Sequence, residues 1–482
     1  MSTPARTATR QRAAHDVLMQ VVVRVMNLAL GVVVTALLAR TLRSAGYGQW
    51  STIFAVLSLT GYFMSFGAEG IVVREAARNP ESEHEWLGAM VAMRLIALGP
   101  VMLISLGVIA LVHQSQAMLL AGLILVVFMP FDGVGALQLV FQLRVNNRIP
   151  MVVLTLRSVL WAIAVFVIYE RGGGLVVMAI ALVTTNLAGS IVQTVAALRL
   201  LEHWPRPSRA RLGELFRQSL PLGLTGMLVI GYGRIDQVII LQSAGSRAAG
   251  LYGAVYSVLD RSHFVPISVL VTLAPIMAAA WPADPARMLR AARLTAELMA
   301  ITSLGALSFA SVAAKPLVRL FFGSEFTAAA PALPVLGAAF VFICFGYLNG
   351  NLLVTLGLQG RFLRISLVAL VFNLVGNVVL VPLTGFMGAA WMTFATEVLV
   401  CVMCLSAIVQ KLERSWPRPG RITRTVLAAA LLFGALSAVN AIGGSLLVLV
   451  LAACVLYPAL LLGLGALGRQ DVEVVLRRTK LA

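Results

Sequence analysis

The chain has 482 residues, of which 60% are hydrophobic and only 12% charged, with a formal net charge of +18. Soluble domains average roughly 45–50% apolar and about 25% charged, so the polar residues here are too few to cover a water-soluble globule. This composition excludes a soluble enzyme, a disordered tail and a disulfide scaffold, and it makes the position of the positive charge more informative than its sum.

A helix needs about 20 apolar residues to cross a bilayer core of about 30 Å. Charge-poor stretches of that size, taken in order, predict about fourteen transmembrane helices. They start near Asp16, Gly48, Trp86, Ala117, Pro150, Leu175 and Leu215, then near Gly250, Arg290, Thr327, Phe362, Gly388, Ile422 and Ser445. Short polar turns such as His113-Gln114-Ser115-Gln116 and Asn440-Ala441-Ile442-Gly443-Gly444 divide stretches long enough for two crossings. The first stretch follows Arg6, Arg10 and Arg12, as a signal peptide would. It is longer than the apolar region of a signal peptide and ends in Leu38-Ala39-Arg40 without a cleavage site, so it reads as an uncleaved helix.

The distribution of Lys and Arg tests the span count. With the amino terminus inside, only Arg40, Arg43, Arg171, Arg247, Lys315 and Arg319 of the 37 basic residues fall in outer loops. Arg24, Arg94, Arg157, Arg234 and Arg261 lie within spans, and the other 26 occupy inner segments. Both termini are therefore expected to be cytoplasmic, and the positive charge needs no nucleic acid. Cys344, Cys401, Cys404 and Cys454 all lie in apolar spans, and the spacing of Cys401 and Cys404 reads as two small buried residues one turn apart. No connection is long enough for a folded extramembrane catalytic domain, and no Gly-rich Lys-Ser/Thr phosphate loop is present.

Two features repeat. Ala45-Gly46-Tyr47-Gly48 precedes the second span and Gly250-Leu251-Tyr252-Gly253 opens the eighth; Arg148 and Gly172 share an interval of 24 residues with Arg361 and Gly385. The repeats suggest an all-α polytopic membrane protein of two six-helix lobes, 1–205 and 206–415, followed by a helix pair and basic tail at 416–482. An even number of helices per lobe gives both lobes the same orientation, hence a pseudo-two-fold axis along the membrane normal, with a transport site between the lobes.

Leu37-Leu38-Ala39-Arg40-Thr41-Leu42, Gly46-Tyr47-Gly48, Gly67-Ala68-Glu69-Gly70 and Val73-Arg74-Glu75-Ala76-Ala77-Arg78 resemble the amino-terminal pattern of polysaccharide flippases. These are the O-antigen and exopolysaccharide lipid exporters of the multidrug/oligosaccharidyl-lipid/polysaccharide superfamily. Further similar stretches are Arg234-Ile235-Asp236, Gly250-Leu251-Tyr252-Gly253-Ala254, Phe322-Gly323, Pro331-Ala332-Leu333, Asn373-Leu374-Val375-Gly376-Asn377 and Gly388-Ala389-Ala390. Arg43-Ser44 departs from the Gly-Pro often found there, which bears on the shape of that turn. The resemblance implies alternating access and a cargo of undecaprenyl-pyrophosphate-linked oligosaccharide in a bacterial inner membrane. It also implies polysaccharide polymerase and chain-length regulator as partners, no cofactor, and coupling to a Na⁺ or H⁺ gradient or the membrane potential. Lipid II flippases and multidrug antiporters are the rivals within the superfamily. A membrane polymerase or ligase is the rival outside it, and the short outer loops speak against that enzyme.

A charge at the bilayer centre costs roughly 2.5–3.5 kcal/mol or more, so each is a candidate functional group. Arg24, Arg94 and Arg157 sit about 12 Å into spans that start on the inner side, and Arg261 about 16 Å below the outer end of the eighth span. Together they would suit a pyrophosphate head group, to which Arg offers bidentate hydrogen bonds. Snorkelling to lipid headgroups or pairing within a lobe are the competing roles, and Asp260 is a local counter-ion candidate for Arg261. Arg234 and Asp236, about 200° apart around one helix, are candidates for an outer gate or ion coupling, or for a structural ion pair. Asp132, beside the helix break expected at Pro130, is a candidate Na⁺ or H⁺ site or a bonded structural residue. Glu297 and Glu397 are single carboxylates expected to pair with Arg or to be protonated. Pro221, Pro266 and Pro275 with Gly223, Gly226, Gly231 and Gly233 predict breakable seventh and eighth spans.

Overall fold

The computed structural model describes the backbone of residues 3–144, 148–201, 203–412 and 420–467, with side chains from residue 26 onward except 28 and 132–134. Among the described residues the regular structure is entirely helical. Helix α1 runs Thr3–Ser65, α2 Glu69–Arg78, α3 Glu83–Val112, α4 Gln116–Gly133, α5 Leu139–Leu143, α6 Arg148–Arg171 and α7 Leu175–Leu200. Then come α8 Arg209–Ser262, α9 Phe264–Ala280, α10 Pro285–Phe322, α11 Ala332–Thr355 and α12 Gln359–Thr384. Helices α13 Phe386–Lys411, α14 Gly420–Ala441 and α15 Leu446–Gly463 complete the described chain.

Eleven of the helical segments are long and apolar enough to cross a bilayer, and a bent pair at 116–131 and 135–143 makes twelve. Two of these segments are double. Helix α1 contains a non-helical residue at Arg43 (φ 55°, ψ −178°) and α8 one at Gly245 (φ 81°, ψ 172°). Dividing them there brings the spans to fourteen, the number the hydropathy pattern predicts. The bend of 48° in the fourth span begins just after Pro130, whose ring removes a helix hydrogen bond.

The two breaks lie close to the repeated motif: Arg43, Ser44 and Gly48 stand 202 residues before Gly245, Ser246 and Gly250, against the 205 that separate Tyr47-Gly48 from Tyr252-Gly253. The helices that follow the breaks cross at these glycines, and the contact is reciprocal. A Cβ on Gly48 would lie 2.0 Å from the Ser246 carbonyl oxygen, and one on Gly250 would lie 1.8 Å from the Ser44 carbonyl oxygen. The two contacts mirror one another, each glycine lying against the carbonyl four residues before the other. The second repeated interval also has a structural counterpart, because Gly172 (φ 74°) and Gly385 (φ 63°) take up left-handed conformations just beyond α6 and α12.

The chain forms two compact units. One comprises Asn27–Ala254 with Gln359–Met392, the other the described parts of Met1–Met26, Val255–Leu358 and Thr393–Ala482. In the first, Ile71 and Val72 of α2, Leu87 and Met90 of α3 and Leu215 of α8 share one buried cluster. Its basic end is tied by polar bonds. Arg144 donates to Glu83 at 2.8 Å, and Arg211 donates to Glu85 at 3.0 Å while its guanidinium lies 5.1 Å over the Trp86 ring. Hydrogen bonds donated to Glu85 and Glu214 hold the Arg211 guanidinium above the ordinary arginine pKa. The backbone N–H of Arg206 donates to the His84 carbonyl, and Gly88 permits this approach, since a Cβ there would lie 2.4 Å from the Arg206 backbone.

In the second unit α14 and α15 pack on α10. Between apolar helices in lipid, close fit and hydrogen bonds replace the hydrophobic effect as the source of association. Gly305 accepts the Tyr457 ring against its backbone, the Tyr457 hydroxyl donates to the Ile301 carbonyl at 2.6 Å, and Ser308 donates to the Ala429 carbonyl at 2.8 Å. Elsewhere many large apolar side chains are exposed: Leu111, Leu383 and Val455 by 84%, 75% and 67%. Such a surface is stable against lipid and not against water.

The glycines of the seventh span pack rather than bend. Helix α8 stays helical through Pro221 up to Gly245, while Gly223 lies against the Phe66 ring and Gly226 against the Tyr62 hydroxyl. The eighth span is interrupted at His263, between α8 and α9.

Candidate functional site

A cavity of about 560 Å³ opens within the first unit. Its wall is mostly apolar, from Phe54, Leu57 and Met64 of α1, Leu125, Phe128 and Met129 of α4, and Leu182 and Val183 of α7. The polar groups that face it are few: Ser58, Ser65, Asn186 and the two arginines Arg94 and Arg157. An apolar enclosure with a small convergent polar set is the usual form of a small-molecule or headgroup site.

Both cations are positioned by neighbours from other helices. Arg94, on α3, donates through Nη2 to Glu69 Oε1 at 2.5 Å, and its side chain is 11% exposed. Glu69 opens α2, so the ion pair joins the start of that helix to the middle of α3. Arg157, on α6, donates through Nε to Asn186 Oδ1 at 2.9 Å and through Nη2 to the same oxygen. Asn186 is fixed in turn by its Nδ2, which donates to the Leu182 carbonyl at 2.7 Å. Gly189, one turn further along α7, gives the Arg157 stem its path, because a Cβ there would lie 2.2 Å from Arg157 Cδ.

Of the four arginines expected to bind a head group, the structure brings Arg94 and Arg157 to one cavity. Arg261 belongs to the second unit, at the end of α8, where it donates to the Ser257 carbonyl at 3.0 Å. The Arg24 side chain lies outside the described residues; its helix meets α6 through Asn27, which donates to Thr155 at 3.4 Å. Asp132 also has its side chain outside the described residues. Asp236 is 1% exposed and accepts from the Tyr252 hydroxyl and from the Gln237 backbone at 2.7 Å. Gln237 then donates to Ser51 at 2.8 Å and to the Ala249 carbonyl at 3.0 Å, which ties this carboxylate to the Gly48–Gly250 crossing. Arg234 is half-buried on the same helix. The two single carboxylates behave differently: Glu297 accepts from Arg293 at 2.9 Å and Arg421 at 3.3 Å, while Glu397 has no such base.

Glu69 and Asn186, the partners of the cavity arginines, carry no role in the sequence reading. Glu69 stands in the Gly67-Ala68-Glu69-Gly70 stretch, and Asn186 is an amide inside an otherwise apolar span. An intramembrane amide or carboxylate on a helix next to an intramembrane Arg is the signal that pairs them.

The family described as "Polysaccharide biosynthesis protein" matches residues 37–331. An uncharacterized membrane protein of Methanocaldococcus jannaschii is 27% identical over 192 residues, 38% of this chain and 36% of that protein. The match thus spans about a third of that curated relative. Among solved structures, the lipid II flippase MurJ in an inward closed conformation superposes with a TM-score of 0.68 at 12% identity, over 92% of this chain and 98% of that one. An inward-facing multidrug resistance MATE family transporter of the MOP superfamily gives 0.62 at 15% identity, over 81% and 95%. A MOP superfamily transporter from Pyrococcus furiosus, described as having a binding pocket of reverse polarity, gives 0.52 at 15% identity, over 83% and 94%. These likenesses establish the fold, and the neighbours are transporters and flippases rather than enzymes.

Proposed function

Because the chain belongs to the polysaccharide biosynthesis protein family of the MOP superfamily, we propose that it flips undecaprenyl-pyrophosphate-linked oligosaccharide units across the bacterial inner membrane by alternating access. Both termini lie in the cytoplasm in this reading, and the lobes are 1–205 and 206–415. A polysaccharide polymerase and a chain-length regulator receive the product. The observation that carries the proposal is the pair Arg94 and Arg157 on one mostly apolar cavity. Two guanidinium groups match the two phosphates of a pyrophosphate, each through paired N–H donors. The apolar wall raises the value of those bonds by excluding water. A drug and cation antiporter would instead call for acidic groups facing the cavity. Arg24 and Arg261 complete the head-group set in this proposal, while Asp236, Arg234 and Asp132 serve gating or coupling to a Na⁺ or H⁺ gradient or to the membrane potential.

The test is flipping of labelled undecaprenyl-pyrophosphate-oligosaccharide in proteoliposomes. A hydrogen bond to a charged group contributes about 1.5–3 kcal/mol, so Arg157→Ala should slow flipping by about 10- to 100-fold, and Arg94→Ala comparably. Arg157→Lys, which keeps charge but loses the fork, should fall between. Wild-type rates in the Arg94→Ala/Arg157→Ala protein would overturn the assignment, and faster movement of lipid II than of the oligosaccharide would reassign the sugar.

A further inference from the structure

Helix α13 carries one carboxylate, Glu397, eleven residues past its start at Phe386, or roughly 16 Å along the axis. That depth is near the middle of a bilayer core of about 30 Å. Glu297 on α10 is also intramembrane, but it is bridged by Arg293 and Arg421. Glu397 makes neither a hydrogen bond nor an ion pair among the described residues, and no basic group acts on it. Its exposure is intermediate rather than nil.

Its surroundings form a polar seam across three parts of the second unit. On α11, the carboxylate lies beside Gly346, with Oε2 3.8 Å from where a Cβ would stand, an ordinary contact distance. The next residue, Tyr347, is within electrostatic reach of Glu397, Cys344 and Asp260, and its ring meets the edge of His263 at 5.8 Å. On α13 itself, Cys401 and Cys404 feel the Glu397 charge, and Asn349 donates to Cys401 Sγ at 3.7 Å. The titratable groups that feel the carboxylate are therefore the Tyr347 phenol and the Cys401 and Cys404 thiols, with Cys344, Asp260 and His263 beyond them around Tyr347.

We propose that Glu397 is a proton-carrying site: its carboxylate takes up a proton and returns it to water during the transport cycle, with Tyr347 as its neighbour and Asp260 and His263 beyond Tyr347. The site rests on the transporter reading above, but not on its cargo. A proton fits better than a metal cation. A hard cation takes several oxygen ligands, whereas here the neighbours are largely thiols and rings. Among the described residues no three His, Cys, Asp or Glu side chains converge on a common point. A proton needs only one carboxylate oxygen and an intermittent path to water.

The experiment uses the full chain, wild type and Glu397→Gln, in nanodiscs and in proteoliposomes. Glutamine has the shape of a protonated glutamate, so the variant should fold; Glu397→Asp serves as the carboxyl-retaining control. By infrared spectroscopy the wild type should show the carbonyl stretch of a protonated carboxylic acid, fading as pH is raised. The same band should be lost in Glu397→Gln and kept, shifted, in Glu397→Asp. An imposed pH gradient should change the flipping rate of the wild type and leave that of Glu397→Gln unaltered. A titrating band that persists unchanged in Glu397→Gln, or one that follows Na⁺ at constant pH, overturns the proposal. If the band behaves as stated but undecaprenyl-pyrophosphate-oligosaccharide is not moved, the proton site stands and the cargo reading fails. If the cargo moves and its gradient dependence survives in Glu397→Gln, the reverse holds.

Discussion

Arg43 occupies a backbone conformation that belongs to glycine. Its φ of 55° with ψ of −178° lies in a region where a Cβ is strained by about 1–3 kcal/mol. The residue at the break in the second half, Gly245, takes the same kind of conformation without that strain. The departure at Arg43-Ser44 from the Gly-Pro of the resembled pattern therefore costs backbone energy while leaving the turn intact. The Arg43 side chain is exposed, so removing it uncovers little apolar area, and the polar interaction it makes sits in solvent, where such contacts contribute about 0–1 kcal/mol. Arg43→Gly should stabilise the protein by about 1 kcal/mol once the greater freedom of glycine in the unfolded chain is deducted. The readout is the temperature of half-loss in detergent, followed by gel filtration. A lower temperature than wild type would refute the strain at this position.

At the scale of helices, the fold depends on places where two backbones approach without side chains between them. The Gly48–Gly250 crossing is the tightest of these, and it is also where the Asp236–Tyr252 and Gln237–Ser51 bonds gather. In Gly250→Ala the new Cβ would meet a carbonyl oxygen at 1.8 Å, and a backbone atom cannot swing aside as a side chain does. Forced separation of the helices should cost about 2–3 kcal/mol, seen as a fall in thermal midpoint. Gly70→Ala on α2, where nothing lies within 4 Å, should leave the midpoint at or slightly above wild type. Equal effects at the two positions would mean that the crossing is not a constraint. The Ala-Gly-Tyr-Gly and Gly-Leu-Tyr-Gly repeats were legible as a duplication because short motifs are local. That the two copies touch was not, because contact at a separation of 202 residues is decided by packing. The same limit applies to the cavity: Arg94 and Arg157 stand out as charges in apolar runs, but Glu69 and Asn186 become their partners only when the helices are assembled. Of the glycines that read as break points in the seventh span, Gly223 and Gly226 also seat Phe66 and Tyr62, since a missing side chain signals close approach as readily as flexibility.

For the whole molecule, charge distribution and hydropathy make one statement about orientation. Of 37 basic residues, 26 fall on the segments assigned to the cytoplasm, against the six in outer loops. An Arg or Lys held back on the cytoplasmic side is what sets the direction of each span. This bias runs through all fourteen spans, and an error of one span would invert it beyond that point. Orientation can therefore be tested at two sites of opposite expectation. In a chain with Cys344, Cys401, Cys404 and Cys454 replaced by Ala, Gln114→Cys places a thiol on the exposed turn between α3 and α4. Ala210→Cys places one on the exposed start of α8, between Arg209 and Arg211. A membrane-impermeant maleimide added to intact cells with a permeabilised outer membrane should label Gln114→Cys and spare Ala210→Cys. In inverted vesicles the pattern should exchange. Labelling of both sites from one side would break the fourteen-span count between α4 and α8, and labelling with both sides reversed would put the termini outside. In the expected pattern, the net charge of +18 serves insertion, and the arginines of the proposed head-group set come from the five left within the spans.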